Sequence, residues 1–488
     1  MHSIGKGTDE RTVAAPQLSR AVGASKFFTL AFGAIVGVGW VVMLGEWLRQ
    51  AGPLGAILGF VGGGLLMSLV ALSYAEMASM FPVSGGEVAY AYEVYGVRTC
   101  FATGWFLALT YIAFVSFEAI GVGWIASSLV AGLRRFGFTL AGQRIGADLM
   151  LGMAGTVIIT AMNLRGIRTA TTLQEFLSYG KIAVALVFIM FGILWGSGSN
   201  LVPMFQESSS GSKLTGFLAV FATAPVWYAG FNVIPQVMEE KASNTSWRTV
   251  GRIFAISIAA AALFYCLVIL SASMAVPWRT LLDRELPAAA AFEVAFHSRF
   301  AASMVLATAL LGLLGTWNAV FIAASRVLFS LGRAQIIHPA FARLHPVHRT
   351  PTIAIAFVAV VGALGVLLGR TAIATIVNVG ASCFGLVFFL TCLGVVTMRR
   401  RSPGYDRPYR VPGGTVTASV AAFVSLLVFC VSIYAPYASA SHSIPLEWIL
   451  FAGWGLLGIV FWTVARRTRN GVSEMERRRY ILGDATLD

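Results

Sequence analysis

Charge is what this chain has least of. Only 11% of its 488 residues are Asp, Glu, Lys or Arg, where a soluble globule carries about a quarter. A water-exposed domain of ordinary composition is thereby excluded. Histidine is scarce too, with six residues at no metal-ligand spacing and none deep in an apolar stretch, so no metal centre is indicated. The five cysteines (Cys100, Cys266, Cys383, Cys392 and Cys430) lie in or beside apolar stretches without paired spacing, which excludes a disulfide framework and a zinc site. A G-x-x-x-x-G-K-[ST] loop is missing; "SYGKIA" has the Gly-Lys pair without the phosphate cradle, so ATP-driven transport within the chain is not expected. The polar first 25 residues lack the apolar core of a signal peptide, which leaves the N-terminus on the inner side. No cofactor and no nucleic-acid partner is implied.

Apolar length is what the chain has in abundance. Hydrophobic residues make up 57% of it and the mean hydropathy is +0.79. Twelve stretches are long enough to span a bilayer, near 26–48, 54–78, 98–130, 149–164, 174–196, 215–240, 251–276, 300–330, 351–369, 372–397, 416–436 and 446–465. With the first segment inside, the inner segments collect 25 of the 35 Lys and Arg and the outer loops 9, while Lys181 lies within a span. This bias fixes both termini in the cytoplasm. The net charge of +14 therefore reports topology. An all-α, multi-pass protein of the plasma (inner) membrane is expected, with tails at 1–25 and 466–488 around one membrane domain at 26–465.

The first span contains "FGAIVGVGW", with Gly33, Gly37 and Gly39 among nine residues. Glycine costs a helix interior roughly 1 kcal/mol relative to alanine. The sixth span is interrupted as well: "APVWYAGFNVIPQ" holds Pro225, Gly230 and Pro235, and proline removes a backbone donor and clashes with the preceding turn. Two interrupted spans at matching places in two halves point to an inverted-repeat secondary transporter with its site at the breaks. Freed backbone groups are tolerated at membrane depth only where buried in protein or lining a cavity. Gly33 and Gly37 also form a small-residue pattern for close helix packing.

These stretches, with "FPVSGGEVAYAYEVYG" (81–96), "TWNAVFIAASRVLFSLGRAQIIHPAFARLHPVHRTP" (316–351) and "RRRSPGYDRPYRVPG", occur in the order found in the amino acid–polyamine–organocation superfamily, which the chain resembles over about 26–465. The resemblance implies twelve transmembrane helices in a LeuT-like 5+5 inverted repeat. Repeat one would cover 26–196 and repeat two 215–397, with helices 1 and 6 broken and two further helices at 416–465. It implies that amides at Gly37, Val38 and Gly39 hold a substrate carboxylate, where helix-terminus polarity favours an anion. Carbonyls at Val226, Ala229 and the adjoining Gly230 would accept bonds from an ammonium, and Tyr228 and Trp317 would wall the pocket. Val38 stands where the family usually has serine, Trp40 where it often has isoleucine, and Asn232 where it often has an acid.

Ionisable groups inside a bilayer are expensive and usually functional. Lys181 enters the fifth span by one to two turns, and its ammonium could occupy the place of a sodium ion held by sodium-coupled relatives; a lysine snorkelling to the interface is the other reading. Glu118 lies past the middle of the third span among apolar neighbours and suits a proton carrier or an amine contact. Asn232 and Asn318 are candidate pore-lining groups, and for Asn318 a packing contact is the other reading. Glu239 and Glu240, beside Lys241, read as solvated caps. The expected function is a secondary active transporter of amino acids or closely related amines, coupled to protons. A polyamine carrier or an exchanger is the near alternative. A membrane enzyme would need a nucleophile–base set or metal ligands, and a sensor an output domain; neither pattern is evident.

Overall fold

The computed structural model describes residues 18–129, 132–133, 136–140, 143–206, 213–284, 286–439 and 444–482. Residues 1–17 of the expected N-terminal tail and 483–488 of the C-terminal tail lie outside them. The first span opens as α1 (Ala24–Ile35), breaks at 36–38, and resumes as α2 (Gly39–Val42) and the start of α3 (Leu44–Met80). Inside α3, Gly52 takes φ +70° just before Pro53, and this kink divides the first apolar stretch from the second. Glycine is required there, since a side chain at positive φ is strained and its Cβ would meet the backbone of Phe205 and Gln206 within 3 Å.

The short α4 (Glu87–Tyr95) lies against α5 (Val97–Leu129), which is followed by a hairpin of β1 (Gly137–Leu140) and β2 (Gln143–Gly146). That antiparallel hairpin departs from an all-α reading; it lies in the expected outer loop rather than in a span. Helices α6 (Ala147–Leu164), α7 (Ile167–Trp195) and α8 (Lys213–Trp227) follow. After α8 the chain turns at 228–230 and continues as a 3-10 segment, Phe231–Glu240. The remaining long helices are α9 (Trp247–Ala275), α10 (Pro287–Phe296), α11 (Arg299–Arg333), α12 (Thr352–Val366), α13 (Ile373–Arg401), α14 (Gly414–Ser439) and α15 (Leu446–Val464). Two short helices, α16 (Arg466–Asn470) and α17 (Glu474–Leu482), end the described chain.

Eleven helical segments among the described residues are long and apolar enough to cross a membrane. The stretch expected at 351–369 falls short of that measure, because α12 has 15 residues before the chain leaves the helix. Burial grades the helices by position. The windows of α5 and α13 are 78% buried and that of α11 is 72%, against 22% for α14 and 17% for α15. The first group is the packed core, and the last two helices sit at its edge. Helix α15 is held there by a reciprocal pair: Trp105 Nε1 donates to Trp454 O and Trp454 Nε1 to Trp105 O, both at 2.9 Å. Helix α1 is enclosed by α7, α9, α11 and the 3-10 segment, so its break lies at the centre of the bundle.

Candidate functional site

The end of α1 leaves carbonyls without helical partners, and other helices supply them. Lys181 of α7 donates its ammonium to Val36 O and approaches Gly33 O at 3.5 Å. Thr316 Oγ1 of α11 donates to Gly33 O at 2.9 Å, and Tyr265 OH of α9 donates to Ile35 O at 3.0 Å. Lys181 is fully buried, so it does not snorkel. A cation at a helix C-terminus also suits the helix dipole. On the other side of the break, Gly37 N–H turns back onto Ile35 O at 3.2 Å. The N–H groups of Val38 and Gly39 donate to no acceptor among the described residues. Two bare amides thus stand where the family resemblance implies three.

The sixth-span break is closed largely by its own residues, with Tyr265 of α9 reaching it as well. Gly230 has φ +136°, and its N–H donates to Asn232 Oδ1 at 3.1 Å. A Cβ there would lie 2.6 Å from Ala34 C and 2.7 Å from Ile35 N, so the two breaks touch backbone to backbone. Val226 O accepts from Ala229 N–H at 3.3 Å, and Trp227 O lies 3.2 Å from Tyr265 OH, sharing that hydroxyl's one proton with Ile35 O.

Between the breaks lies a cavity of about 60 Å³, lined by Gly37, Val38, Gly39, Glu118, Val226, Ala229, Gly230 and Thr316, with Phe114, Phe117 and Phe384 among its apolar walls. One water needs roughly 10–15 Å³ on this measure, so the space admits a small solute. Glu118 is 1% exposed, and its Oε2 has no hydrogen-bond partner among the described residues. An ionised carboxylate so placed costs about 3 kcal/mol or more. It is within electrostatic reach of Lys181 across the break.

A family model described as "Amino acid permease" matches residues 23–459. The chain belongs to the amino acid permease family. Among its relatives, the branched-chain amino acid permease BcaP of Bacillus subtilis (strain 168) is 26% identical over 473 residues, covering 94% of this chain and 95% of the relative. The methylthioribose transporter of the same organism is 26% identical over 461 residues, covering 92% and 94%. Its glutamate/serine transporter AimA is 25% identical over 436 residues, covering 85% and 78%. Membership makes this a multi-pass membrane transporter and not an enzyme.

The permease does not gather every predicted residue at the cavity. Tyr228 points away, donating to Phe60 O at 2.8 Å beside Gly64. Trp317 faces Gly155 of α6, because one step along a helix turns a side chain by about 100°; its neighbour Thr316 takes the cavity side. Asn232 is spent within the fold, holding Gly230 N–H and donating to Tyr111 OH at 2.7 Å. Asn318 Nδ2 donates to Ala170 O at 2.9 Å and Gln174 Oε1 at 3.0 Å, fastening α11 to α7. Neither asparagine lines the cavity. Glu240 is no solvated cap: it is 1% exposed and takes Arg326 through both oxygens at 3.0 and 3.3 Å, while Glu239 takes Arg333 at 2.7 Å.

Thr316 and Tyr265 were the residues that sequence reasoning passed over. Thr316 was legible in the spacing Gly312–Thr316–Val320, a light stripe at four-residue intervals that lets α11 approach the first break. Tyr265 had no such signal, being one aromatic in a long apolar run.

Proposed function

We propose that this permease is a secondary active transporter that moves amino acids, or closely related amines, across the plasma membrane at the expense of a proton gradient. Both termini are cytoplasmic in this reading. The bundle is a 5+5 inverted repeat plus two helices, with α12 completing twelve crossings. The observation that carries the proposal is the cavity between two interrupted spans, with bare amides on one wall and an unpartnered carboxylate on another.

A zwitterion fits that pairing. Its carboxylate takes the N–H groups of Val38 and Gly39, with Gly37 joining once its turn relaxes. Its ammonium faces Glu118 and the carbonyls of Val226 and Ala229. The aromatic and aliphatic walls favour a small or apolar side chain. The relatives' names range from branched-chain amino acids to glutamate/serine and methylthioribose, so the walls rather than the breaks set the choice of substrate.

Lys181 is the proton site of the proposal. With its proton it caps Val36 O; without it the end of α1 loses its cation and is freer to move. Uptake into proteoliposomes, with an imposed pH gradient in sodium-free buffer, tests this directly. Accumulation is expected to follow the proton gradient. A requirement for sodium with no response to pH would overturn the coupling, and equal competition by amines lacking a carboxylate would overturn the amide assignment.

A further inference from the structure

A second buried carboxylate lies outside the cavity. Glu87 opens α4 directly after Gly85 and Gly86, and it is fully buried. One oxygen accepts from Gln236 Nε2 of the 3-10 segment, while the other has no partner among the described residues. Around it stand Tyr74 of α3, Tyr111 of α5 and its own helix's Tyr90, with Thr391 and Cys392 of α13 beyond Tyr74. Among the described residues no basic group acts on it, and Arg326 and Arg333 of α11 are taken by Glu240 and Glu239. The loop before α4 is clamped to the same segment, since Ser84 Oγ donates to Gln236 O at 3.0 Å and a Cβ on Gly86 would meet Pro235 at 2.3 Å.

This cluster is wired to the sixth-span break. Gln236 Nε2 also donates to Asn232 O at 3.3 Å, and Asn232 Oδ1 receives the Gly230 N–H. Two residues, Gln236 and Asn232, therefore link a buried acid to Gly230 of the cavity wall.

We propose that Glu87 is a second proton-binding site, protonated while α4 is closed on the 3-10 segment and deprotonated when their separation admits water. The inference rests on the reading of this permease as a transporter whose α4 end opens. A neutral carboxyl can be buried without a counter-ion, whereas a carboxylate cannot without great cost. Burial pushes the Glu87 carboxyl up to about 8, with the polar influence of its own backbone, Gln236 and Tyr74 pulling part of the way back. The group is therefore neutral below about 8 and charged above it. Raising the pH through that value favours separation of α4, and lowering it favours closure.

The test titrates the full-length protein in lipid nanodiscs and follows the protonated-carboxyl band by infrared difference spectroscopy. A band lost near the same pH is expected, absent in Glu87→Gln and present in Glu118→Gln. Gln236→Leu, which removes a bond favouring the charged form, should move the midpoint to higher pH even if Glu87→Gln fails to fold. An unchanged band in Glu87→Gln, or an unmoved midpoint in Gln236→Leu, overturns the proposal. Loss of the band on adding sodium at constant pH overturns it too, in favour of a metal-cation site. In proteoliposomes, Glu87→Gln should flatten the alkaline limb of the uptake profile, and a wild-type profile in that variant counts against the site. Wild-type protein that moves no substrate would sink the transport reading, while the band would still decide the proton site.

Discussion

At residues 36–38 the carbonyls left over when α1 stops are taken by side chains from three other helices: Lys181, Thr316 and Tyr265. At 228–230 the chain closes largely on itself, through Asn232 and the positive φ of Gly230. Both arrangements satisfy backbone groups that lipid could not. They differ in what can undo them. A cap donated by a distant side chain can be withdrawn by one proton or one helix shift, whereas a turn locked by local backbone geometry moves as a unit. The first break is thus suited to switching and the sixth to holding its shape.

That contrast breaks most completely at Gly230. Gly230→Ala places a side chain at φ +136° and onto the backbone of Ala34 and Ile35. Strain alone is about 1–3 kcal/mol, and backbone cannot step aside as a side chain does. Little folded protein is expected, as read by size-exclusion yield and thermal unfolding. Lys181→Met comes next: the protein folds, but gradient-driven accumulation is lost while substrate binding by thermal shift persists. Unchanged accumulation would remove Lys181 from the coupling. Gly37→Ala sharpens the comparison from the other side. Its Cβ would meet Thr316 Oγ1 at 3.1 Å and Glu118 Oε1 at 3.6 Å, with no backbone in the way. Folding should survive, and substrate affinity should fall about tenfold, equivalent to ~1.4 kcal/mol. Thr316→Val has the smallest effect, removing one of the bonds to Gly33 O for about 0.6–1.7 kcal/mol of stability. A Thr316→Val protein as damaged as Gly230→Ala would mean that the first break is as rigid as the second.

Eleven of the twelve expected spans and both breaks are legible in the sequence because their signals are compositional and local: long apolar runs, glycine clusters and misplaced prolines. Lys181 and Glu118 stood out because a charge in hydrocarbon is conspicuous wherever its side chain points. Rotation about the helix axis was the harder part. Trp317 and Thr316 are neighbours in sequence and lie on different faces of α11, and a bulky residue drew more notice than the hydroxyl that reaches the cavity. Asn232 and Glu240 are misread from the sequence for a related reason, which also leaves Asn318 open there between pore and packing contact. Their partners, Tyr111, Gln174 and Arg326, are distant in sequence, and only packing reveals that their polar capacity is already used. Glu87 was hidden inside a loop motif, where an acid suggests solvent until its burial is seen.

The final helix carries a practical consequence. Arg478 of α17 pairs with Glu93 of α4 at 2.8 Å, Tyr92 OH donates to Glu474 O at 3.3 Å, and Ile481 and Leu482 are buried. Helix α17 therefore leans on the helix that begins with Glu87. A fluorophore or spin label near residue 475, where Met475 is exposed, would ride with α4 as a remote pointer. Truncating the chain before α17 to aid expression would discard that pointer and uncover the surface it rests on.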